Sequence, residues 1–270
     1  LVQNLEEYDF TGTDITFFAA GSDVSKDFVQ IAADEGSIVI DNASLFRMRQ
    51  DVPLVVPEVN AEALAGYKAS NLIANPNCAV AQLVVALKPL HEVAKIKRVV
   101  VSTYQSVSGV GKSAMDELFE QTKGKFMNNN FPPINFSKQI AFNVIPQIGG
   151  FEESGDTQEE VKIEQELKKI LDPAIEVSVT CVRVPVFLGH SEAVNIEFEK
   201  PLSADEAREI LSTSAGIELI DNPEFKQYAT PIECAGEDAV MVSRIRKDNS
   251  VKNSKKILFV PNLFYNLSAD

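Results

Sequence analysis

The 270-residue chain contains no tryptophan, only two histidines and only three cysteines. Cys78, Cys181 and Cys234 are far apart and odd in number, so they form neither a disulfide framework nor a metal-ligand motif. Because free cysteines persist where thiols are kept reduced, we expect a cytoplasmic protein without a metal centre.

Positive charge and long apolar runs are also scarce. Lys and Arg total 25 against 39 Asp and Glu, which gives a net charge of -14, and no basic block interrupts the chain. We therefore expect neither nucleic acid nor an anionic membrane surface as a partner. No apolar run approaches the roughly 18 residues that a membrane span needs. The chain is 45% hydrophobic and long enough for one large or two modest domains.

Strands and helices alternate over the first hundred residues. A helical pattern at 24–36 ends at Gly36 and lies between apolar, strand-like runs. The expected strands are 14–20, 37–42, 71–75 and 97–105. This alternation predicts an α/β fold with a parallel sheet.

The pattern changes in the second part of the chain. Helices are expected at 156–171 and at 203–214, the second beginning with a Ser203–Glu206 capping box. Alternating strands are expected at 176–186, 192–199 and 238–248. Helices between alternating strands predict an α+β layer with a mostly antiparallel sheet, and the change of domain is placed near residue 78.

Cys78 stands where a short apolar strand gives way to a helix. Asn77 is a good N-cap, 79–87 is a helical run, and Pro89 follows its expected end. A cysteine at a helix N-terminus meets free N–H groups and the positive end of the dipole, which favour a thiolate nucleophile. The alternative is a small buried cysteine with a packing role.

The two histidines differ in setting. His91 is expected in an exposed connection, whereas His190 lies at a Gly-His-Ser corner just beyond a strand, where sites are often built. His190 is thus a candidate proton-transfer partner for a thiolate, with a structural role as the alternative.

Two arginines have settings that call for an anion. Arg183 occupies an otherwise apolar strand, so its buried guanidinium needs a substrate carboxylate or an internal ion pair. Arg47 follows a strand end and would suit a phosphate or a carboxylate, with a solvated surface position as the alternative.

Several segments in consistent order carry a family resemblance. They are "DNASLFR", "DVPLVVPEVN", "ANPNC", "STYQSVSG" and "VRVPVFLGHSEAVNIEFE". Over residues 5 to 253 the chain resembles the bacterial aspartate-β-semialdehyde dehydrogenases. The resemblance implies the remainder of a Rossmann-type NADP-binding domain over 1–77, with 250–270 as a further candidate part. It also implies a catalytic and dimerisation domain over 78–249, like that of glyceraldehyde-3-phosphate dehydrogenase.

The resemblance assigns roles residue by residue. The catalytic set is Cys78 as nucleophile, His190 as general acid/base and Gln105 as the group that orients substrate or water. Substrate would be held by Arg183 at the carboxylate, Glu166 at the ammonium, and Arg47, Asn77 and Lys169 at the phosphate. The cofactor would be contacted by Gly21, Ser22, Ser108 and Gly109.

The implied reaction is the NADPH-dependent reductive dephosphorylation of β-aspartyl phosphate through a Cys78 thioester, in lysine, threonine and methionine biosynthesis. The family's opening glycine-rich loop has no counterpart here and "KKILFVPNLFYNLSAD" does not match its ending, so truncation and weak NADPH binding are expected. A homodimer through the second domain is expected.

Two other interpretations of the function remain open. One is N-acetyl-glutamyl-phosphate reductase, which uses the same acyl-phosphate chemistry on an acetylated amine. The other is a catalytically dead chain that retains only a dimerisation surface.

Overall fold

The structure of the protein, a computed structural model, describes residues 2–250 and 254–261, the last stretch by its backbone. These residues form two compact units. One comprises 2–77 together with 169–171, and the other comprises 78–168, 172–250 and 254–261. The chain passes from one unit to the other between Asn77 and Cys78.

The first unit contains a three-stranded parallel sheet. Its strands lie in the order β1-β2-β3: β1 is Ile15–Phe18, β2 is Ile38–Asp41 and β3 is Leu72–Ala74. Helix α1, Ser22–Asp34, connects β1 to β2, and a short α2, Pro57–Asn60, precedes a 3₁₀ stretch, Ala61–Ala69. The predicted alternation of strand and helix, and the parallel sheet, are confirmed.

The second unit is built on a six-stranded sheet with the order β5-β4-β6-β11-β10-β7. The strands are β4 Ile96–Gln105, β5 Glu176–Arg183, β6 Ser191–Phe198, β7 Ile217–Leu219, β10 Val240–Lys247 and β11 Ser254–Pro261, with a separate ribbon of β8 Asp221–Asn222 and β9 Gln227–Tyr228. The β4–β5 and β7–β10 pairs are parallel and the other pairs are antiparallel, as the α+β prediction requires.

Five helices belong wholly or mainly to this unit. They are α3 Cys78–Ala94, α4 Lys112–Phe126, α5 Gln158–Ile170, α6 Ala204–Ser212 and α7 Pro231–Cys234. The predicted capping box of α6 is present, with Glu206 N donating to Ser203 Oγ over 3.1 Å and Ser203 N donating to Glu206 Oε2 over 2.6 Å. No helix in the described part of the chain is long and apolar enough to cross a membrane.

The two faces of the large sheet differ in burial. On β4 the side chains of Val99, Val101, Thr103 and Gln105 are buried, and the intervening positions are exposed or half-buried. Helices α3 and α6 pack on the sheet, and α3 is buried along most of its length. Functional side chains at the end of this buried face can therefore be held rigidly.

Two expectations about this unit are wrong. Helix α3 does not end before Pro89 but continues to Ala94, because the fully buried Leu90 and Ala94 extend its apolar face and this packing offsets the lost hydrogen bond. His91 is consequently buried within the helix, where its Nδ1 accepts from Ile96 N over 3.2 Å, rather than exposed.

The C-terminal segment also differs from expectation. Residues 250–270 were a candidate part of the first domain, but 254–261 form β11 of the large sheet. The reason is backbone pairing, since β11 fills the place between β6 and β10 and bonds to both. Residues 262–270 lie outside the described part of the chain.

Candidate active site

Three of the expected site residues meet at one end of the large sheet. Gln105 and Arg183 are the last residues of the parallel strands β4 and β5 and lie opposite each other in register. His190 immediately precedes β6, which runs the other way and begins with Ser191 opposite Tyr104. The ends of the parallel strands and the start of their antiparallel neighbour thus bring Gln105 close to Arg183 and His190, which follow it in the sequence by 78 and 85 positions.

Ser106 connects Arg183 to His190. Arg183 Nη1 donates to the carbonyl oxygen of Ser106 over 2.6 Å, and Ser106 N donates to His190 Nδ1 over 3.1 Å. The Ser106 hydroxyl lies 3.1 Å from the same ring nitrogen and 2.9 Å from the hydroxyl of Ser108. Sequence reasoning missed Ser106, although its position directly after Gln105 was a usable signal.

The hydrogen bonds of His190 determine which of its nitrogens carries the proton. A backbone N–H can only donate, so Nδ1 is the acceptor and the neutral ring bears its hydrogen on Nε2. Burial, and then the nearby guanidinium of Arg183, lower the pKa of His190 to about 3. The imidazole is therefore neutral at physiological pH and offers Nε2–H as a donor.

Gly109 lies next to the guanidinium of Arg183 and the imidazole of His190. A Cβ at this position would lie 3.3 Å from Arg183 Nη1, 3.4 Å from His190 Nε2 and 3.5 Å from His190 Cε1. The missing side chain therefore leaves room directly over these two groups. The expected cofactor residues Ser108 and Gly109 thus lie beside Arg183 and His190.

Arg183 is only 6% exposed, and its guanidinium forms no ion pair with a carboxylate in the described part of the chain. Burial lowers its pKa, while the negative charge available at Cys78 and then at Glu159 acts in the opposite direction. Its electrostatic neighbours are thus the candidate nucleophile and a carboxylate of α5. A buried guanidinium held by one carbonyl retains donors for an anionic ligand.

Cys78 is the first residue of α3 and is partly exposed, whereas Cys181 and Cys234 are buried. Burial raises the pKa of Cys181 strongly and that of Cys234 to about 12. Position at a helix N-terminus beside Arg183 favours a thiolate at Cys78 alone among the three.

A carboxylate that sequence reasoning missed, Glu159, joins the cluster, and the expected role of Glu166 stays a prediction. Gln105 Nε2 donates to Glu159 Oε1 over 3.1 Å, and Glu159 acts electrostatically on Arg183. Glu166 is buried two turns further along α5. The two residues share a helix face, since they are seven positions apart, so helical periodicity could have raised Glu159 as a candidate.

Lys169 binds a backbone segment of the first unit. Its Nζ donates to the carbonyl oxygens of Arg47, Arg49 and Val52 over 2.7, 2.7 and 2.9 Å. These bonds anchor the 47–52 segment, and the expected contact of Lys169 with a phosphate stays a prediction.

The remaining expected residues lie in the first unit. Arg47 is 7% exposed and donates from Nη2 to Asn42 O over 2.7 Å. Asn77 is 7% exposed and precedes α3. Gly21, at a φ of 92°, precedes the 13-residue helix α1, whose first residue Ser22 has its Oγ 3.5 Å from Ser44 Oγ.

The N-terminus of α1 fits a dinucleotide phosphate. It follows a strand of the parallel sheet and begins with a glycine that lets the backbone approach a ligand closely. Residues 2–250 contain no group of three or more His, Cys, Asp or Glu side chains arranged for a metal ion.

Comparisons with known proteins agree with this arrangement. The model of the semialdehyde dehydrogenase NAD-binding domain matches residues 1–67, and that of the semialdehyde dehydrogenase dimerisation domain matches residues 87–263. Aspartate-semialdehyde dehydrogenase of Rickettsia conorii is 52% identical over 94% of this chain and 75% of its own length.

Two solved structures extend the comparison. Aspartate semialdehyde dehydrogenase II of Vibrio cholerae, in a complex with ASA, has a TM-score of 0.93 and 45% identity over 96% of this chain and 77% of its own. The Candida albicans enzyme with NADP has a TM-score of 0.70 and 27% identity over 92% of this chain and 72% of its own. Because the two family models cover most of its length and a curated relative is 52% identical over 94% of it, the chain belongs to the semialdehyde dehydrogenase family.

Proposed function

We propose that this protein is an NADP-dependent aspartate-semialdehyde dehydrogenase, which converts β-aspartyl phosphate to aspartate semialdehyde. The observation that carries the proposal is the cluster of Gln105, Arg183 and His190 at one sheet end, with Arg183 electrostatically coupled to Cys78. Relatives of this name, at about half sequence identity over most of the chain, support the substrate.

The proposed chemistry begins at Cys78. Its thiolate attacks the acyl carbonyl carbon and the C–O bond to phosphate breaks. Inorganic phosphate departs, and the acyl group remains on the sulfur as a thioester. Arg183 holds the substrate carboxylate, and Glu166 together with the neighbouring Glu159 is proposed for the ammonium. Arg47, Asn77 and Lys169 are proposed for the phosphate, and Lys169 also binds the carbonyl oxygens of the 47–52 segment.

A reduced nicotinamide, if bound beside Ser108 and Gly109, would supply the hydride that the thioester carbon needs to reach the oxidation level of an aldehyde. His190 donates a hydrogen bond from Nε2–H to the oxygen on which negative charge develops and stabilises that charge. Collapse of the resulting thiohemiacetal breaks the C–S bond, releases the aldehyde and returns Cys78 to its starting state. Gln105, tied to Glu159, orients the acyl group.

The cofactor would be held at two places. Gly21 and Ser22 offer the N-terminus of α1 to a phosphate group. Ser108 and Gly109 leave room beside His190 for the ring that carries the hydride. The choice of NADP over NAD rests on the resemblance and on the Candida albicans enzyme solved with NADP.

N-acetyl-glutamyl-phosphate reductase is the competing assignment. Its substrate carries an acetylated, uncharged nitrogen, and the half-buried carboxylate of Glu159 next to it would have no cation to meet. Glu159 lies within the Gln105–Arg183 cluster, which favours a free ammonium and therefore the aspartyl substrate.

The proposed assembly is a homodimer through the second unit, in the cytoplasm. One face of the sheet has half-exposed positions, and the unit also carries large exposed apolar side chains, including Phe126 and Phe142, which are 80% and 66% exposed with ring centroids 6.0 Å apart. An apolar patch of this kind typically marks an interface.

The deciding experiment is an assay of the purified protein with aspartate semialdehyde, phosphate and NADP, followed as NADPH formation. We expect phosphate-dependent turnover that Cys78→Ser abolishes and Cys234→Ser leaves intact. Preferential turnover of N-acetyl-glutamate semialdehyde would replace the aspartyl assignment. No turnover of either aldehyde would favour the catalytically dead chain.

A further inference from the structure

A second row of polar side chains lies directly behind the active-site row. Thr103 of β4 is in register with Cys181 of β5 on one side and with Glu192 of β6 on the other. Each stands two residues from a member of the first row, so the two rows share the buried face of the sheet. All three side chains are fully buried.

Helix α3 contributes the fourth member of this row. Gln82, also fully buried, donates from Nε2 to Glu192 Oε1. Gln82 lies four residues after Cys78, so the two side chains lie on one helix face, one turn apart. The Gln82–Glu192 bond therefore joins α3 to β6 one layer behind Cys78 and His190.

This pair has unused hydrogen-bonding capacity. Gln82 Oε1 and Glu192 Oε2 are buried and find no hydrogen-bond partner within the described residues. A fully buried carboxylate without a cation costs far more than one glutamine bond returns, whereas a protonated carboxyl gains a donor for these oxygens. The geometry thus favours an uncharged Glu192.

We propose that Glu192 is a positioning residue that acts as a neutral acid, tying Gln82 to β6 and holding the first turn of α3, with Cys78, against Arg183 and His190. The inference rests on the proposed role of Cys78 as nucleophile. An uncharged Glu192 also keeps negative charge away from the space behind the thiolate.

The surroundings of Glu192 support this role. Burial raises its pKa to about 8, and the hydrogen bond from Gln82 acts in the opposite direction. Gln82 from α3 and Thr103 from β4 are neutral, and the backbone partner on β11 is Phe259. The titratable groups on the neighbouring elements are Cys78 on α3, Cys181 and Arg183 on β5, His190 before β6, and Glu160 of α5, whose Oε1 accepts from Cys181 N over 2.8 Å.

Among these groups Glu192 titrates near pH 8. His190 stays neutral there, because its pKa is about 3, and burial keeps Cys181 protonated. Ionisation of Glu192 places a negative charge behind Cys78 and raises the pKa of that thiol, so thiolate formation is opposed as pH increases.

The test is the rate of Cys78 alkylation by iodoacetamide between pH 6 and 10, with the adduct mapped by mass. In the unsubstituted protein we expect a bend near pH 8, above which the rate rises less steeply than a single ionisation requires. Glu192→Gln should remove the bend, react within about twofold of the unsubstituted rate at pH 7, and react faster at pH 9.

Gln82→Met gives an independent measurement. It should move the bend to higher pH, since the bond that lowers the pKa of Glu192 is lost. It should also reduce kcat about tenfold with little change in KM, as expected for one lost positioning hydrogen bond. Rescue of kcat by Gln82→Asn would contradict the proposal, because the shorter side chain cannot reach Glu192 in the same geometry.

Glu117→Gln is the matched control. Glu117 is 2% exposed and accepts from Gln121 Nε2 over 2.9 Å, but it lies on α4 away from this row. Its substitution should leave the alkylation profile unchanged. A profile without a bend, or a bend that persists in Glu192→Gln, overturns the proposal. Alkylation does not require turnover, so a bend in a protein that fails the dehydrogenase assay would preserve this inference and remove the proposed function.

Discussion

Gln105 and Glu159 are hydrogen-bonded through Nε2 and Oε1 over 3.1 Å, although 54 residues separate them. The bond places a helix carboxylate beside the strand-end amide and near Arg183. It adds Glu159 to Glu166 as a candidate for binding the substrate ammonium, and kinetics of the two variants can distinguish them.

Glu159→Gln should raise KM for aspartate semialdehyde about tenfold to a hundredfold, because the substrate ammonium loses a charged partner. Steady-state kinetics with varied aldehyde provide the measurement. Glu164→Gln is the control, since Glu164 pairs with Lys168 at the helix surface and should have no kinetic effect. A similar KM in Glu159→Gln, with a large rise in Glu166→Gln, would assign the ammonium to Glu166 alone.

Arg183→Lys should raise KM for the aldehyde by about ten- to a hundredfold with little change in Tm. Lysine keeps the charge but loses the planar fork that binds a carboxylate through two N–H groups. Kinetics and thermal unfolding are both needed, with the exposed Arg98→Lys as the control. A large drop in Tm with unchanged KM would identify Arg183 as a structural residue.

Gly109→Ala should lower kcat at least tenfold. The new Cβ would lie 3.3 to 3.5 Å from Arg183 Nη1 and His190, and it would occupy the space over both groups. Binding of nicotinamide cofactor, measured by calorimetry, should weaken in parallel. Gly66→Ala is the control, because its Cβ would meet only Pro53 Cβ at 3.9 Å. Full activity in Gly109→Ala would show that no reactant uses that space.

His190 by itself should lower the stability of the fold as the pH drops below about 6.5, whereas Glu192, with its raised pKa of about 8, acts in the opposite direction. The pKa of His190 is about 3 in the folded protein against 6.5 for an ordinary histidine. Between these two pH values the unfolded chain binds a proton at this residue and the folded protein does not. At pH 5 this difference amounts to about 2 kcal/mol.

His190→Gln should therefore reduce the loss of stability between pH 7 and pH 5, as followed by urea unfolding at both values. His91, whose pKa is also lowered by burial, is present in both proteins and its contribution cancels. An equal loss in the two proteins would mean that His190 is charged when folded.

Some of the site could be predicted from local sequence. An Asn-Pro-Asn-Cys segment before an apolar helical run predicts a cysteine at a helix N-terminus, and α3 does begin at Cys78. Ser203 and Glu206 predict a capping box because both partners lie within one turn, and it forms. The sequence pattern also predicts strands at 97–105 and 176–186. Both form, although the second ends at Arg183.

Other features depend on contacts between distant segments. Lys169 has the charge for a phosphate, and its Nζ also binds three carbonyl oxygens of the 47–52 segment. His91 follows a proline that favours a helix end, yet burial of Leu90 and Ala94 continues the helix past it. Neither outcome can be read from neighbouring residues, because the competing groups lie elsewhere in the chain.

The sequence by itself determined which side chains are available and which local elements carry them, since helix caps and apolar periodicity act over a few residues. Only the tertiary structure decided which of them meet. Strand register set Gln105 against Arg183 and placed Thr103 between Cys181 and Glu192. Burial then made His190 neutral and raised the pKa of Glu192, because the cost of removing a charge from water depends on the whole fold around it.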